Sequence, residues 1–140
     1  MITRVAEDQV YIAAAPMATP IVRPAREADV PAIVAVVNEN ARLGHLLPRT
    51  PDNIRASLDA WLVAEVDGRV VGIGSLVAMN PRLVEVRSLA VLPAYRKFGI
   101  GALIVGGLVD EARARGIPTV FALTRAVGFF ERLGFVITDK

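Results

Sequence analysis

Apolar positions along this chain switch repeatedly between the alternation of a strand and the 3.6-residue spacing of a helix. Ile21–Arg23 reads as a short strand. Pro24 to Ala28 form a turn, Asp29 is a candidate N-cap, and Val30–Asn40 read as a helix with Ile33, Val34, Val36 and Val37 on its apolar face. Pro31 falls early in that helix, where its missing N–H does no harm. Arg42 to Pro51 form a loop containing Leu47-Pro48-Arg49, and Asp52–Ala60 a second, short helix. Trp61–Val66 and Arg69–Val77 are strands flanking Asp67-Gly68, a strong hairpin signal. Gly72 and Gly74 in the second of them invite a bulge or a close backbone approach. After a turn at Asn80-Pro81, Leu83–Val91 is a third strand, stopped by Pro93. The strongest helix signal runs from Gly99 to Arg115, where Ile100, Leu103, Ile104, Gly107, Leu108 and Ala112 share one face. Arg113 and Arg115 suit its C-terminal end and Gly116 its termination. Pro118–Leu123 is a strand, Ala126–Leu133 a short helix stopped by Gly134, and Phe135–Thr138 begins a final strand. The order β-α-α-β-β-β-α-β-α-β predicts a mixed α/β layer structure.

Residues 1–20 lack this clear periodicity. They read as an extension preceding a domain over 21–140, with Val10–Ala15 as the candidate for an added strand. A secretory signal does not fit, because Glu7 and Asp8 stand where positive charge belongs. At 140 residues and 54% apolar composition, the chain has one domain's length and enough apolar surface for a core. The absence of cysteine excludes disulfide frameworks, thiolate metal sites and cysteine nucleophiles. The lone imidazole, His45, reads as a solvated loop residue, and no metal site is expected. No apolar run reaches the roughly 18 residues of a membrane span. The net charge of +2 is unevenly distributed: residues 1–80 carry 7 basic and 9 acidic side chains, residues 81–140 carry 9 and 5. An anionic ligand belongs with the second part.

The segment Arg96-Lys97-Phe98-Gly99-Ile100-Gly101 joins the third strand to the strong helix. Glycines without side chains let phosphate oxygens approach backbone N–H groups that lack intrahelical partners at a helix start. The helix dipole and two adjacent cations add to that attraction. The segment lacks the Gly-Lys-Ser/Thr ending of a nucleoside-triphosphate loop. Ile104 stands where the third glycine of a dinucleotide fingerprint would fall.

What the segment resembles is the Arg/Gln-x-x-Gly-x-Gly/Ala turn of the GNAT acetyltransferases, which bind the pyrophosphate of acetyl-coenzyme A there. The resemblance extends from Ile21 to the C-terminus. Glu85-Val86-Arg87-Ser88-Leu89-Ala90-Val91, Leu47-Pro48-Arg49 and Phe129-Phe130-Glu131-Arg132-Leu133-Gly134-Phe135 resemble one branch more closely. That branch is the amino-acid N-acetyltransferases of the bacterial N-acetylglutamate synthase type, which acetylate the α-amine of glutamate and open arginine biosynthesis. It implies a GNAT fold, acetyl-CoA as cosubstrate, a small amino acid as partner, no nucleic acid or membrane partner and a cytoplasmic location, with a homodimer left open.

An amino-acid amine is mostly protonated at neutral pH, so acetyl transfer needs a base. Glu85 is the candidate, and Arg87, two residues on along a strand, shares its face and could clamp a carboxylate. An ion pair on an exposed sheet face is the plainer account of the same two residues. The resemblance further implies a bulge in this strand and a backbone donor at Leu89 for the thioester carbonyl. It implies pairing of Leu89, Ala90 and Val91 with the pantetheine arm, and phosphate contacts from Arg96, Lys97, Phe98, Gly99, Ile100 and Gly101. Arg49 and Ser88 become substrate contacts.

Two features depart from the wider family. Where many members carry a tyrosine that protonates the leaving thiolate, this chain has Phe129 and Phe130, expected to pack on the cofactor or in the core. Thr124 or a water would take over the proton. The family domain also ends in a hairpin of two strands, and this sequence reaches Lys140 within or just after the first. Another primary amine, such as a protein N-terminus, is the alternative acceptor, and a non-catalytic coenzyme A-binding module the alternative class.

Overall fold

The computed structural model describes residues 2–6, 9–12, 18–44 and 47–138. Strands β1 (Ile2–Ala6) and β2 (Gln9–Ile12) pair antiparallel in a small sheet of their own. The strand expected over Val10–Ala15 is thus β2 in its first part, while residues 13–15 and His45 lie outside the described residues. The main sheet has the order β3 (Ile21–Pro24), β4 (Trp61–Val66), β5 (Arg69–Asn80), β6 (Leu83–Val91), β7 (Thr119–Phe121). Neighbours are antiparallel except β6 and β7, which run parallel. Helices α1 (Val30–Arg42) and α2 (Pro51–Ala56) cover one face, and α3 (Ile100–Ala114) and α4 (Val127–Arg132) the other.

Strand alternation divides the apolar side chains into two cores. Val63, Val70, Ile73 and Ala90 join Ile33, Val36 and Val37 of α1 and Ile54 of α2 on one face. Ala64, Val71, Leu76, Val84 and Val86 join Ile104, Val105 and Leu108 of α3 and Phe130 of α4 on the other. Gly72 and Gly74 are where α3 comes closest: a Cβ on either would lie 2.8 Å from a carbon of Ile104. At the β4–β5 hairpin, Asp67 and Gly68 are both left-handed, with φ of 50° and 77°, matching the twist of the flanking strands.

Asp29 differs from its expected role. It sits at the head of α1 with helical backbone angles and makes no side-chain cap there. Its carboxylate instead accepts from the Arg26 N–H at 2.7 Å and from both terminal nitrogens of Arg23 on β3, at 2.7 and 3.0 Å. The Arg23 guanidinium holds the Asp29 carboxyl below its ordinary value of 3.8. Because that pKa is depressed on folding, its stabilising contribution is complete at neutral pH and is lost as pH falls below the ordinary carboxylate range. Asp29→Ala is expected to cost about 3 kcal/mol at pH 7, because Arg23, only 18% exposed, would keep just its longer carboxylate contact, to Glu65 at 3.4 Å. Urea unfolding at pH 7 and pH 3 checks this, and the gap to wild type should narrow at the lower pH.

The second helix is shorter than expected, ending at Ala56 with a 3-10 turn over Leu58–Ala60, and β7 covers only Thr119–Phe121. Phe135–Thr138 forms no strand: no strand pairs with it, the Phe135 N–H donates to the Phe130 carbonyl at the end of α4, and Val136 and Ile137 are 86% and 65% exposed. Strand propensity without a partner leaves the backbone in solvent. Among the described residues no helix is long and apolar enough to cross a membrane, and no cluster of three acidic or histidine side chains could hold a metal.

Candidate active site

The strands β6 and β7 pair only over Leu83–Glu85 and Thr119–Phe121, and Glu85 opposite Phe121 is their last pair. Beyond it they part, and the remaining edge of β6 opens toward solvent. Glu85 sits at this fork with its side chain only 7% exposed, and Arg87 Nε donates to its Oε1 at 2.5 Å. The Arg87 side chain is half exposed, and its two terminal nitrogens make no hydrogen bond among the described residues. A carboxylate is thus paired with one edge of a guanidinium whose outer fork remains available for an anion.

The bulge lies two residues further on. Across the β5–β6 ladder Ser75 pairs Arg87 and Ile73 pairs Ala90, so Ser88 and Leu89 together oppose the single residue Gly74. Ser88 is left-handed, with φ of 54°, a conformation that costs a non-glycine residue free energy and so marks a constrained site. Buried Ser75 donates its hydroxyl to the Arg87 carbonyl at 3.1 Å, just before the distortion. The Leu89 side chain packs on the α3-side core and Ala90 on the α1-side core, so both offer the edge only backbone groups.

After β6, a 3-10 turn (Pro93–Tyr95) leads into the glycine segment. Lys97 and Gly99 are left-handed, with φ of 69° and 79°, and Lys97, Phe98 and Gly99 are exposed. Leu103 N–H to the Gly99 carbonyl, at 3.1 Å, is the first helical bond of α3. The N–H groups of Ile100, Gly101 and Ala102 therefore lack helical acceptors. The Ile100 side chain is 1% exposed and belongs to the core, leaving its backbone for any ligand. A Cβ on Gly99 would meet nothing within 4 Å, and one on Gly101 would lie 3.4 Å from the Phe129 ring. Phe129 thus flanks the start of α3. It packs edge-on against Phe130, which is buried in the core and packs in turn on Phe135. Arg96 departs from its expected place at the rim: its guanidinium turns back to the Val91 carbonyl and to Asn40 of α1.

On the α1 side, Trp61, Ser75 and Arg87 form one row across β4, β5 and β6. Arg49 lies over the Trp61 ring, 5.4 Å from its centroid. Its backbone is gripped by the Asn38 amide of α1, which accepts from the Arg49 N–H at 3.1 Å and donates to its carbonyl at 3.4 Å. Arg49, through Trp61, and Arg87 therefore stand over the same sheet face, with the Trp61 and Arg87 backbone positions about 10 Å apart, two strand spacings. Thr124 stands apart from this group, beyond β7, and its hydroxyl oxygen accepts from the Ala126 N–H at 2.9 Å. It lines, with Phe130, a groove of about 1120 Å³ along the outer edge of β7, which includes none of Glu85, Arg87 or the glycine turn.

Residues missed by sequence reasoning are Asn38, Asn40 and Ser75. A signal existed: two asparagines in one helix oppose helix propensity, and a serine interrupts the apolar run of β5.

The profile of the acetyltransferase (GNAT) family matches residues 30–135. The chain is 37% identical over 125 residues to an uncharacterized N-acetyltransferase of Chlorobaculum tepidum, covering 89% of this chain and 81% of that one. It is 39% identical over 118 residues to the amino-acid acetyltransferase of Mycobacterium tuberculosis, covering 83% and 68%. A Mycobacterium tuberculosis protein solved in complex with CoA superposes with a TM-score of 0.79 at 37% identity, over 85% of this chain and 73% of that one. The N-acetylglutamate synthase of Neisseria gonorrhoeae, complexed with coenzyme A and N-acetyl-glutamate, superposes with a TM-score of 0.75 at 30% identity, over 84% of this chain and 28% of that longer one.

Proposed function

This chain belongs to the GNAT acetyltransferase family and is an acetyl-CoA-dependent N-acetyltransferase, and on that premise we propose that it acetylates the α-amine of an amino acid, glutamate first, in cytoplasmic arginine biosynthesis. The observation that carries this reading is the buried Glu85, clasped by Arg87 at the fork of β6 and β7, with Arg49 standing over the same sheet face.

The residues present fit the cosubstrate. Exposed backbone without side chains at Gly99, three N–H groups without helical acceptors and the dipole of a 15-residue helix suit a pyrophosphate. Bound there, acetyl-CoA supplies an activated acetyl thioester. Lys97 adds a positive charge at this cradle, and Phe98 and Phe129 offer apolar surface beside it. The open edge of β6 at Leu89–Val91 offers backbone groups to the extended pantetheine arm, in the manner of an added strand. The bulge at Ser88 and Leu89 turns one of those N–H groups away from the ladder, as the donor for the oxygen that gains charge.

Glu85 takes the proton that the ammonium must lose before its nitrogen can attack. The outer fork of Arg87, helped by the Ser88 hydroxyl, holds one carboxylate, and Arg49 holds the second. Two guanidiniums on one face favour a dicarboxylic amino acid over a polyamine. Because Thr124 stands apart beyond β7, water, the other expected donor, is left to protonate the departing thiolate.

An amino-acid panel assayed with acetyl-CoA by thiol release tests this. Glutamate is expected to give the highest kcat/KM, and Arg49→Ala to raise its KM about tenfold with that of acetyl-CoA unchanged. Equal turnover of amines that carry no carboxylate would overturn the acceptor assignment.

A further inference from the structure

Resting on the reading that coenzyme A pairs along β6, we propose that Arg96 is a positioning residue for the pantetheine-binding edge, held in place by Asn40 of α1, and is not a ligand of the pyrophosphate. Sequence position alone puts Arg96 beside the phosphate cradle. The side chain does not go there. Its Nε donates to the carbonyl of Val91, the last residue of β6, at 3.1 Å, and a terminal nitrogen reaches Asn40 Oδ1 at 3.4 Å.

Asn40 is only 4% exposed, and its amide has one sensible orientation: Nδ2 donates to the Val36 carbonyl at 2.9 Å, which turns Oδ1 toward Arg96. A buried amide oxygen aimed at a guanidinium is a designed acceptor, since leaving it unmade would be costly. The tie spans the two ends of the turn. It fixes the carbonyl of Val91 and closes the loop from Val91 to Arg96, which sets where the left-handed pair Lys97 and Gly99 begins. A carbonyl has two lone pairs, so Val91 can accept from Arg96 and still serve a ligand amide. Lys97 is then the cation left at the cradle itself.

The same end of α1 carries Asn38, which grips the backbone of Arg49. Two asparagines on one helix end thus brace the acceptor loop and the cofactor strand against a common mount.

Two probes separate a brace from a phosphate ligand: CoA, and pantetheine, which lacks the phosphates and the nucleotide. Binding of each is titrated by ligand-observed NMR to the wild type and to Arg96→Ala, Asn40→Leu, the double variant and Lys97→Ala. Arg96→Ala and Asn40→Leu are each expected to weaken both probes by a similar factor, about fivefold, with the double variant no worse than Arg96→Ala. Lys97→Ala is expected to weaken CoA alone. Arg96 is exposed, so Arg96→Ala is expected to fold even if loss of the buried amide unfolds Asn40→Leu. An Arg96→Ala variant that follows the Lys97→Ala pattern overturns the proposal, as does a folded Asn40→Leu that binds both probes normally. If the wild type binds neither probe, the cofactor reading itself falls, and this proposal with it.

Discussion

Replacing Glu85 by glutamine is expected to lower kcat on the preferred amino acid by about 10²–10⁴-fold, the contribution of a positioned general base. The substitution is nearly isosteric in a site where the side chain is 7% exposed, so no cavity forms. The glutamine carbonyl can still accept from Arg87 Nε, which keeps the guanidinium from being stranded. Coenzyme A affinity is expected to stay within about twofold, because no part of the glycine turn touches this residue. Steady-state kinetics with a parallel CoA titration reads both quantities. A variant with wild-type kcat would remove Glu85 from the chemistry. Loss of CoA binding together with kcat would instead make Glu85 a structural residue of β6.

The second large effect is at Gly101. Gly101→Asp is expected to weaken CoA binding by about 10²-fold or more. A carboxylate roughly 4 Å from a phosphate charge at an effective dielectric near 20 costs about 4 kcal/mol. What makes this test clean is that the same change does not threaten the helix. An acidic residue in the first turn of α3 favours the dipole, and replacing glycine inside a helix gains intrinsic propensity. The melting temperature should hold while affinity collapses. Gly101→Ala is the control: its Cβ would lie 3.4 Å from the Phe129 ring, a contact that a small shift of the ring relieves, and CoA affinity should change little. Unchanged affinity in Gly101→Asp would remove the turn from phosphate binding.

Local chemistry explains which parts of this were legible in the sequence. The Asp67-Gly68 hairpin, the amphipathic α3 and the glycine turn were readable because their signals lie within a few adjacent residues. The pairing of Glu85 with Arg87 was readable for the same reason, through the two-residue period of a strand. The burial of that pair was not, because it depends on where β6 and β7 part. Ser88 in a left-handed conformation was invisible, since its backbone is set by the bulge against Gly74 and not by its own preference. Arg96 misled because charge near a cradle reads as a rim contact. Only the fold brings Asn40, 56 residues away, within reach of it. Phe135–Thr138 misled in the opposite way, having strand-forming residues but no partner strand to complete the ladder.

The sheet's two cores have a consequence for how such a chain can change. Ile104, Leu108 and Val86 anchor α3, and with it the glycine turn, on one side. The face that presents Glu85, Arg87, Ser75 and Arg49 is built over α1 on the other. Substitutions that reshape the acceptor side need not disturb the packing that carries the turn. A combinatorial library confined to the end of α1, residues 47–49, Ser75 and Val77 should therefore yield variants with new acceptors and an undiminished grip on the cosubstrate. The sheet then acts as a partition that lets selectivity evolve independently of the shared cofactor machinery, provided Asn40 is left in place.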